Sequence, residues 1–378
     1  MGKIFTEHAL KPGNLAIQFG VLAFVLLGFW SGVRNAQFNL ETMGMTNGFG
    51  FLQSSTGWGY SFSLLERSIN DSYMRTLTIG FLNTLFLGTL AIITTTFFGF
   101  VFGVLRSSPN PFLKTFAGVY VNIFRNIPLI LQIVFWYAIF VKFPPPRQTE
   151  PMLGSIYFSN RGLQIPTLNV DAGAGVLGMV LALLVAVAIL RWMRVSLGLR
   201  LIAGAAVALL ILLATAIAFS PAEEGLLSIP ALAGLRFQGG VLVSIEFVAM
   251  IVAITLYGSG YIAEVVRGGL SEVPKGLTEA GESLGLSRYR ILTRIQIPVA
   301  MRSIIPPLGN QWIFMMKATT IGVAIGFSDL FMIVSTSLTQ TGQTMELIFL
   351  LMAAFVAIHF TLAQVVNWMN ARIQFKAN

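Results

Sequence analysis

The side chains that could do chemistry in this sequence are few, and most of them lie in one polar stretch, residues 271–298, between two long apolar runs. Only 10% of the 378 residues are charged, yet this stretch mixes both signs of charge: Lys275, Arg288, Arg290, Arg294, Glu272, Glu279 and Glu282. Polar side chains of this kind between membrane-length runs indicate a surface that a partner could grip, and not a catalytic centre.

Helix signals divide the polar stretch into two short helices. Pro274 suits the start of the first helix, and Gly285 stands where a left-handed residue would end it. Four small or apolar side chains recur between them at helical spacing: Leu277, Ala280, Gly281 and Leu284. Ser287 can cap a second helix over 288–297, which we expect Pro298 to stop. The stretch is therefore predicted to be a helix–turn–helix outside the bilayer.

The composition of the chain predicts an all-α integral membrane protein. Hydrophobic residues make up 55% of the sequence, and runs of about 20 apolar residues recur, as a hydrocarbon core about 30 Å thick requires. We predict about eight transmembrane helices: 15–33, 77–105, 119–143, 174–190, 201–219, 240–262, 306–326 and 347–368. Residues 1–76 form an N-terminal helix with an outer loop, and residues 77–378 form the main membrane domain. The absence of cysteine excludes disulfides and thiolate metal sites, and we predict no metal site.

The positions of Lys and Arg predict the orientation. With the N-terminus inside, fifteen Lys and Arg residues lie on the inner side and six on the outer side. Both termini and the polar stretch are then cytoplasmic. The net charge of +9 is mostly this topology signal, and nucleic-acid binding is a poor second interpretation.

Several charged residues stand in or beside predicted spans. Arg125 lies just before Pro128, where a helix would break, and it either serves function or extends to the inner headgroups. Glu246 either reaches the outer headgroups or lines a solute path. Lys317 must be paired or hydrated if it is buried. Glu264 and Arg267, three residues apart, can pair on one helix face.

The polar stretch also has specific spacing. Glu279-Ala280-Gly281 is followed by Gly285 and, after nine residues, by Ile295-Gln296-Ile297-Pro298. This pattern resembles the EAA signature of ABC-importer permeases, with Gly281 in a position that is usually alanine. Glycine keeps close approach but loosens a helix by about 1 kcal/mol. The alternative interpretation is a basic helix resting on anionic lipid.

Other segments resemble the same family. These are Tyr261-x-x-Glu264-x-x-Arg267-Gly268-Gly269, the segment around Arg125 and Pro128, Lys317-x-Thr319-Thr320, and GFLNTL at 80–85. Together they resemble a permease of an ABC-type polar amino-acid importer. The plan of spans and outer loop is closest to the general L-amino-acid, or glutamate/glutamine/aspartate/asparagine, branch.

The resemblance implies a five-helix permease core (77–105, 119–143, 240–262, 306–326 and 347–368), with the first span and the 174–219 pair as additions. It implies a coupling loop over 264–305 whose helix engages a separate ATPase. The coupling residues would be Pro274, Leu277, Glu279, Ala280, Gly281, Leu284, Gly285, Arg288, Ile295 and Pro298. The candidates for the solute path would be Arg125, Glu246, Lys317, Thr319 and Thr320.

The same resemblance implies the partners and the location. These are ATPase subunits that carry ATP and magnesium, a second permease that differs from this chain, a periplasmic amino-acid-binding protein, membrane lipid and an amino-acid substrate. No nucleic acid is expected, and the location would be the bacterial inner membrane. No stretch matches G-x-x-x-x-G-K-[ST], so we expect no ATP site and no cofactor in this chain.

Three alternatives stay open. A membrane enzyme is disfavoured, because no Ser/His/Asp, Cys/His or metal-ligand cluster stands at membrane depth. A stand-alone carrier or channel would need an ion site and inverted repeats, which the sequence does not present convincingly. An ABC permease for another solute would share the polar stretch but not the elements around Arg125 and Lys317.

Overall fold

The computed structural model describes residues 12–42, 48–170, 197–219 and 227–373, together with positions 178, 181, 182, 185, 188 and 189. The chain is mostly helical. The α-helices are α1 (Pro12–Thr42), α2 (Tyr73–Arg106), α3 (Pro111–Asn126), α4 (Leu129–Phe140), α5 (Leu197–Phe219), α6 (Ile245–Ser271), α7 (Lys275–Ser283), α8 (Arg288–Ile291), α9 (Ile297–Ala318), α10 (Leu330–Thr341) and α11 (Thr344–Ile373).

Within the described residues, four helices are long and apolar enough to cross a membrane: Ala16–Asn35 within α1, then α2, α6 and Thr344–Arg372 within α11. Two bent pairs bring the total to six if each pair counts as one span. The predicted span 201–219 corresponds to a shorter apolar helix, Ala203–Phe219. Most of the predicted span 174–190, with Arg191 and Arg194, lies outside the described residues. The count of eight stays a prediction.

The predicted span 119–143 is not one helix but two, α3 and α4, which meet at 99°. Pro128 has no N–H and causes the break that its position predicts. The side chain of Gln132 compensates, because its Nε2 donates to the carbonyl oxygens of Phe124 at 2.9 Å and Ile127 at 3.0 Å. Backbone groups released at membrane depth need such protein partners.

The prediction that Pro298 stops the second helix is wrong. The helix continues from α8 through a π segment, Leu292–Gln296, into α9. The N–H of Ile297 bonds to the carbonyl of Leu292, five residues back. The helix therefore accommodates Pro298 through a wider π turn and does not end there. The predicted start at 306 is also wrong, since Pro306 and Pro307 lie inside α9.

The second bent pair joins residues 288–325 to α10 at 48°. A 3₁₀ segment, Thr319–Ile325, follows α9, and Asp329 caps α10 by accepting the N–H of Met332 at 2.9 Å. Side chains of the GFLNTL segment secure this break. Asn83 Nδ2 donates to the carbonyl of Ser328 at 2.7 Å, and Thr84 Oγ1 accepts the N–H of Leu330 at 3.0 Å.

The packing of α2 on α6 uses the two glycines of Gly99-x-x-x-Gly103. A Cβ at Gly99 would collide with Ile262, and a Cβ at Gly103 would lie 2.6 Å from Val266. The two small residues therefore allow α2 and α6 to approach each other closely.

The packing of α9 on the same two helices uses methionine. Met315 lies against Gly258 of α6, and Met316 lies against Gly88 of α2. Both methionines are buried. They are therefore core residues.

The all-α prediction overlooked the short strands in two connections outside the helices. Within the described residues there are seven of them, in the ranges 157–168 and 227–244. A three-stranded antiparallel sheet contains Tyr157–Ser159, Gly162–Ile165 and Val241–Ser244, in that order. Two two-stranded pairs join Thr167–Leu168 to Leu227–Ser228 and Ala231–Ala233 to Arg236–Gln238. The strands are two to four residues long, too short for an alternating pattern to be visible in the sequence.

Candidate functional site

The polar hairpin, residues 275–296, consists of α7, a turn at Gly285, α8 and the π segment. The turn has the geometry that the sequence predicts, with Gly285 at φ 69°. The N–H of Leu286 bonds to the carbonyl of Gly281 at 3.1 Å, and the N–H of Gly285 bonds to the carbonyl of Glu282 at 2.9 Å. These two bonds define a Schellman ending, which satisfies the last carbonyls of α7. No atom lies within 4 Å of a Cβ built at Gly285.

The two arms of the polar hairpin meet at Gly281. This residue is buried, and a Cβ there would lie 3.0 Å from Ile295 Cδ1 and 3.1 Å from Ile291 Cγ1. Gln296 also donates to the hydroxyl of Thr278 at 3.2 Å. The first arm is therefore packed directly on the second, and a displacement of α7 moves α8 and the π segment.

Most of the rest of α7 is exposed. Leu277 keeps 42% of its surface exposed and Leu284 keeps 79%, while Glu279 and Ala280 are also exposed. Leu277, Ala280 and Leu284 share a face with Gly281 by spacing, with Glu279 beside it, but of these residues only Gly281 is buried in this chain. A contiguous exposed apolar patch marks a surface for interaction with a partner.

The remaining predicted coupling residues occupy the joints of the polar hairpin. Pro274 precedes the first turn of α7, Arg288 opens α8, Ile295 is partly buried in the π segment and Pro298 is the second residue of α9. Ser287 stands at the cap position of α8 without a side-chain hydrogen bond to it.

Glu264 binds three arginines from three helices. Its predicted pair with Arg267 is confirmed, with Arg267 Nη2 2.6 Å from Glu264 Oε1. Arg106, the last residue of α2, forms a further ion pair with Glu264, and Arg125 Nη1 of α3 lies 3.8 Å from Glu264 Oε2. We name these four residues the Glu264 cluster. Three cations around one carboxylate leave an excess of positive charge at this end of the bundle.

Arg125 has additional contacts within α6. Its guanidinium carbon lies 4.9 Å from the centre of the Tyr261 ring, a cation–π geometry, and its carbonyl accepts from the Tyr261 hydroxyl at 3.4 Å. The interpretation of Arg125 as a residue that only extends to headgroups is therefore incomplete, because it holds α3 against α6.

The other solute-path candidates lie elsewhere. Glu246 is in the first turn of α6, and 18 residues of helix, about 27 Å, separate it from Glu264. Lys317 is exposed near the end of α9, two residues after Met315, which lies against Gly258 in the middle of α6. Thr320 Oγ1 donates to the carbonyl of Lys317 at 2.9 Å, and the buried Thr319 donates to that of Met316 at 3.1 Å. The structure thus separates Arg125 from Glu246 by most of the length of α6, with Lys317 between those two levels.

Sequence reasoning missed Arg106 and Asp329. Arg106 joins Glu264 across 158 residues of chain, a pairing that no local pattern reveals. Asp329 is fully buried in the second break. A signal for Asp329 exists, because Gly326 followed three residues later by aspartate and an apolar run is a helix-start pattern.

Comparison with known proteins identifies relatives of the whole chain. A family model described as "Binding-protein-dependent transport system inner membrane component" matches residues 206–377. The chain is 32% identical to the general L-amino acid transport system permease protein AapQ of Rhizobium johnstonii, over 98% of this chain and 95% of that protein.

Two further relatives match at similar length. The putative amino-acid ABC transporter permease protein YhdX of Escherichia coli is 36% identical over 90% of this chain and 88% of its own. The glutamate/glutamine/aspartate/asparagine transport system permease protein BztB of Rhodobacter capsulatus is 32% identical over 96% of this chain and 94% of its own.

Proposed function

The chain belongs to the family of inner-membrane permeases of amino-acid ABC transporters, and on that premise we propose that it is the translocating subunit of an ATP-driven importer of polar L-amino acids. The observation that carries the proposal is the polar hairpin. Its first helix exposes an apolar face beside Glu279, and its second arm continues without interruption into a membrane helix.

The mechanical path runs from α7 to the far end of α9. A separate ATPase subunit grips the exposed face of α7, and Gly281 transmits the displacement to Ile291 and Ile295. Residues 288–318 form one helical rod about 46 Å long at 1.5 Å per residue. Lys317 lies near the far end of this rod. Closure of two ATPase subunits on ATP therefore tilts the rod and alternates the opening of the pore between the two sides.

The solute would be held between Glu246 and the level of Lys317, beyond the Glu264 cluster. A polar L-amino acid carries a carboxylate and an ammonium group, which match Lys317 and Glu246 in sign. Lys317 takes part in no ion pair within the described part of the chain. Thr320 supplies a hydroxyl beside it. The names of AapQ and BztB support polar L-amino acids as the solute class.

The assembly would contain two ATPase subunits that bind ATP and magnesium, a second permease chain different from this one, and a periplasmic binding protein that delivers the solute. The chain does not catalyse hydrolysis itself in this scheme. Both termini and the polar hairpin face the cytoplasm, a placement supported by the inner excess of Lys and Arg. The coupling loop over 264–305 and the additional helices around 174–219 remain part of this proposal.

The test is transport by the purified complex in vesicles. We expect labelled glutamate, glutamine, aspartate or asparagine to accumulate only when the ATPase, ATP and a binding protein are present. We also expect the chain to co-purify with an ATPase. Accumulation by the chain alone, driven by an ion gradient without ATP, would instead establish a secondary carrier.

A further inference from the structure

A groove of about 1200 Å³ lies between the polar hairpin and the turn that joins α2 to α3. Its floor is formed where two membrane-length helices end, at Arg106 of α2 and Ser271 of α6. Residues of the polar hairpin, including Thr278 and Tyr289, form the opposite wall. The groove therefore lies at the ends of the apolar membrane-length helices, where polar segments begin.

The lining of the groove is strongly basic. Four cationic side chains contribute to it, Arg106, Lys114, Arg267 and Arg288, against one acidic side chain, Glu282. Arg106 and Arg267 share the single carboxylate of Glu264, and this group of three side chains therefore keeps a net positive charge. Lys114 and Arg288 are exposed and form no ion pair with any residue that the structure describes. The groove consequently attracts an anion.

The same groove has an apolar side. Leu105 and Leu270 line it beside the arginines, and Leu113 lines it from α3. Small-molecule sites usually enclose about 300–1,000 Å³, so this groove has room for more than a simple anion. Cationic side chains next to leucines, at the ends of membrane helices, match a ligand with an anionic head and an apolar tail.

We propose that this groove binds the phosphate-bearing headgroup of an anionic phospholipid, with the start of its acyl chains against Leu105, Leu113 and Leu270. Basic pockets at the ends of transmembrane helices are known to hold phosphate headgroups. The bound lipid connects the polar hairpin to α2 and α3. The inference does not depend on the proposed transport function, because binding needs only this chain and lipid.

The test measures lipid retained by the purified chain. The detergent-solubilised protein is incubated with phosphatidylglycerol or with zwitterionic phosphatidylcholine, and bound lipid is counted by native mass spectrometry. The test variant is Lys114→Gln with Arg288→Gln. The control variant is Arg290→Gln with Arg294→Gln, which removes the same charge from residues that are exposed but do not line the groove.

We expect the wild-type chain and the control to retain phosphatidylglycerol in preference to phosphatidylcholine. The test variant should bind phosphatidylglycerol about 30-fold more weakly, since each surface cation contributes about a fivefold gain toward anionic lipid. Unchanged melting temperatures would show that both variants fold. Equal loss in the control would mean diffuse attraction and overturn the site. Displacement of the lipid by inorganic phosphate alone would overturn the lipid assignment.

Discussion

The two ends of α6 differ in how their charged side chains are partnered. At the hairpin end, Glu264 binds arginines from α2, α3 and its own helix. Glu246 at the opposite end, and Lys317 of α9 level with the middle of α6, form no ion pair with any described residue. A cluster of ion pairs between helices holds the helices together, whereas an unpaired charge is available to a ligand. The comparison therefore assigns structure and coupling to the Glu264 end of α6 and solute contact to the part beyond it.

The largest expected effect is at the turn of the polar hairpin. In Gly285→Asp the new side chain enters open space, so the fold survives with a local strain of about 1–2 kcal/mol, but the turn can no longer enter a partner's groove. We expect solute-stimulated ATP hydrolysis by the reconstituted complex to fall to the unstimulated rate.

The matched control for that variant is Gly234→Asp. Gly234 also has a positive φ, 66°, and open space around its Cβ, but it lies in the strand pair far from the polar hairpin. It carries the same backbone strain and should retain stimulated hydrolysis. Normal stimulation of ATP hydrolysis in Gly285→Asp would contradict the assignment of coupling to the polar hairpin.

The next effect is on stability. Glu264→Gln leaves three arginines without their carboxylate, and we expect the free energy of unfolding to fall by about 2–3 kcal/mol. A fully buried pair would lose about 3–5 kcal/mol, but Glu264 keeps 27% of its side chain exposed. Thermal denaturation in detergent measures the change. Glu272→Gln, just past the end of the same helix, should shift it by less than about 0.5 kcal/mol.

The corresponding test of solute contact is Lys317→Gln. Loss of one charge-assisted contact to the solute carboxylate should raise the KM for uptake about 10-fold or more. The melting temperature should stay constant, because Lys317 is exposed and forms no ion pair with a described residue. Lys142→Gln, an exposed lysine just after α4, is the control and should keep the wild-type KM. A large loss of stability with unchanged KM would instead give Lys317 a structural role, like that of Glu264.

The smallest effect is expected at the contact between the two arms of the hairpin. Gly281→Ala restores the usual family residue and gains about 1 kcal/mol of helix propensity. The new methyl group displaces the flexible ends of Ile291 and Ile295 by a few tenths of an ångström. We expect coupling within about twofold of wild type, whereas Gly281→Val should overpack and cost about 1–3 kcal/mol. Equal coupling in both variants would exclude this contact as the transmitting one.

The parts of the site that sequence predicts are those set by neighbours in the chain. The bounds of α7, the left-handed Gly285, the Glu264–Arg267 pair and the break at Pro128 all depend on residues a few positions apart. Their physical causes are capping, helical spacing and a missing N–H, and a short segment of sequence is enough to reveal them.

The parts that sequence does not predict depend on distant partners or on compensation. Arg106 and Arg125 reach Glu264 only after three helices pack together. Pro298 stays inside a helix because a π turn upstream supplies the extra residue. The strand Gly162–Ile165 pairs with Val241–Ser244, far along the chain, where Gly162 allows close contact with the backbone of Val243.

The glycine contacts of the bundle differ in their partners, and this difference has a mechanical consequence. Gly99 and Gly103 of α2 receive Ile262 and Val266 of α6, and Gly269 of α6 receives Ile304 of α9; these β-branched side chains have few rotamers and resist sliding. Further along α9, Met315 and Met316 lie against Gly258 and Gly88, and their unbranched side chains can change rotamer around a shifted neighbour. Helix α9 is therefore held rigidly near the polar hairpin and loosely toward Lys317, so it pivots about Ile304 more easily than it slides along α6.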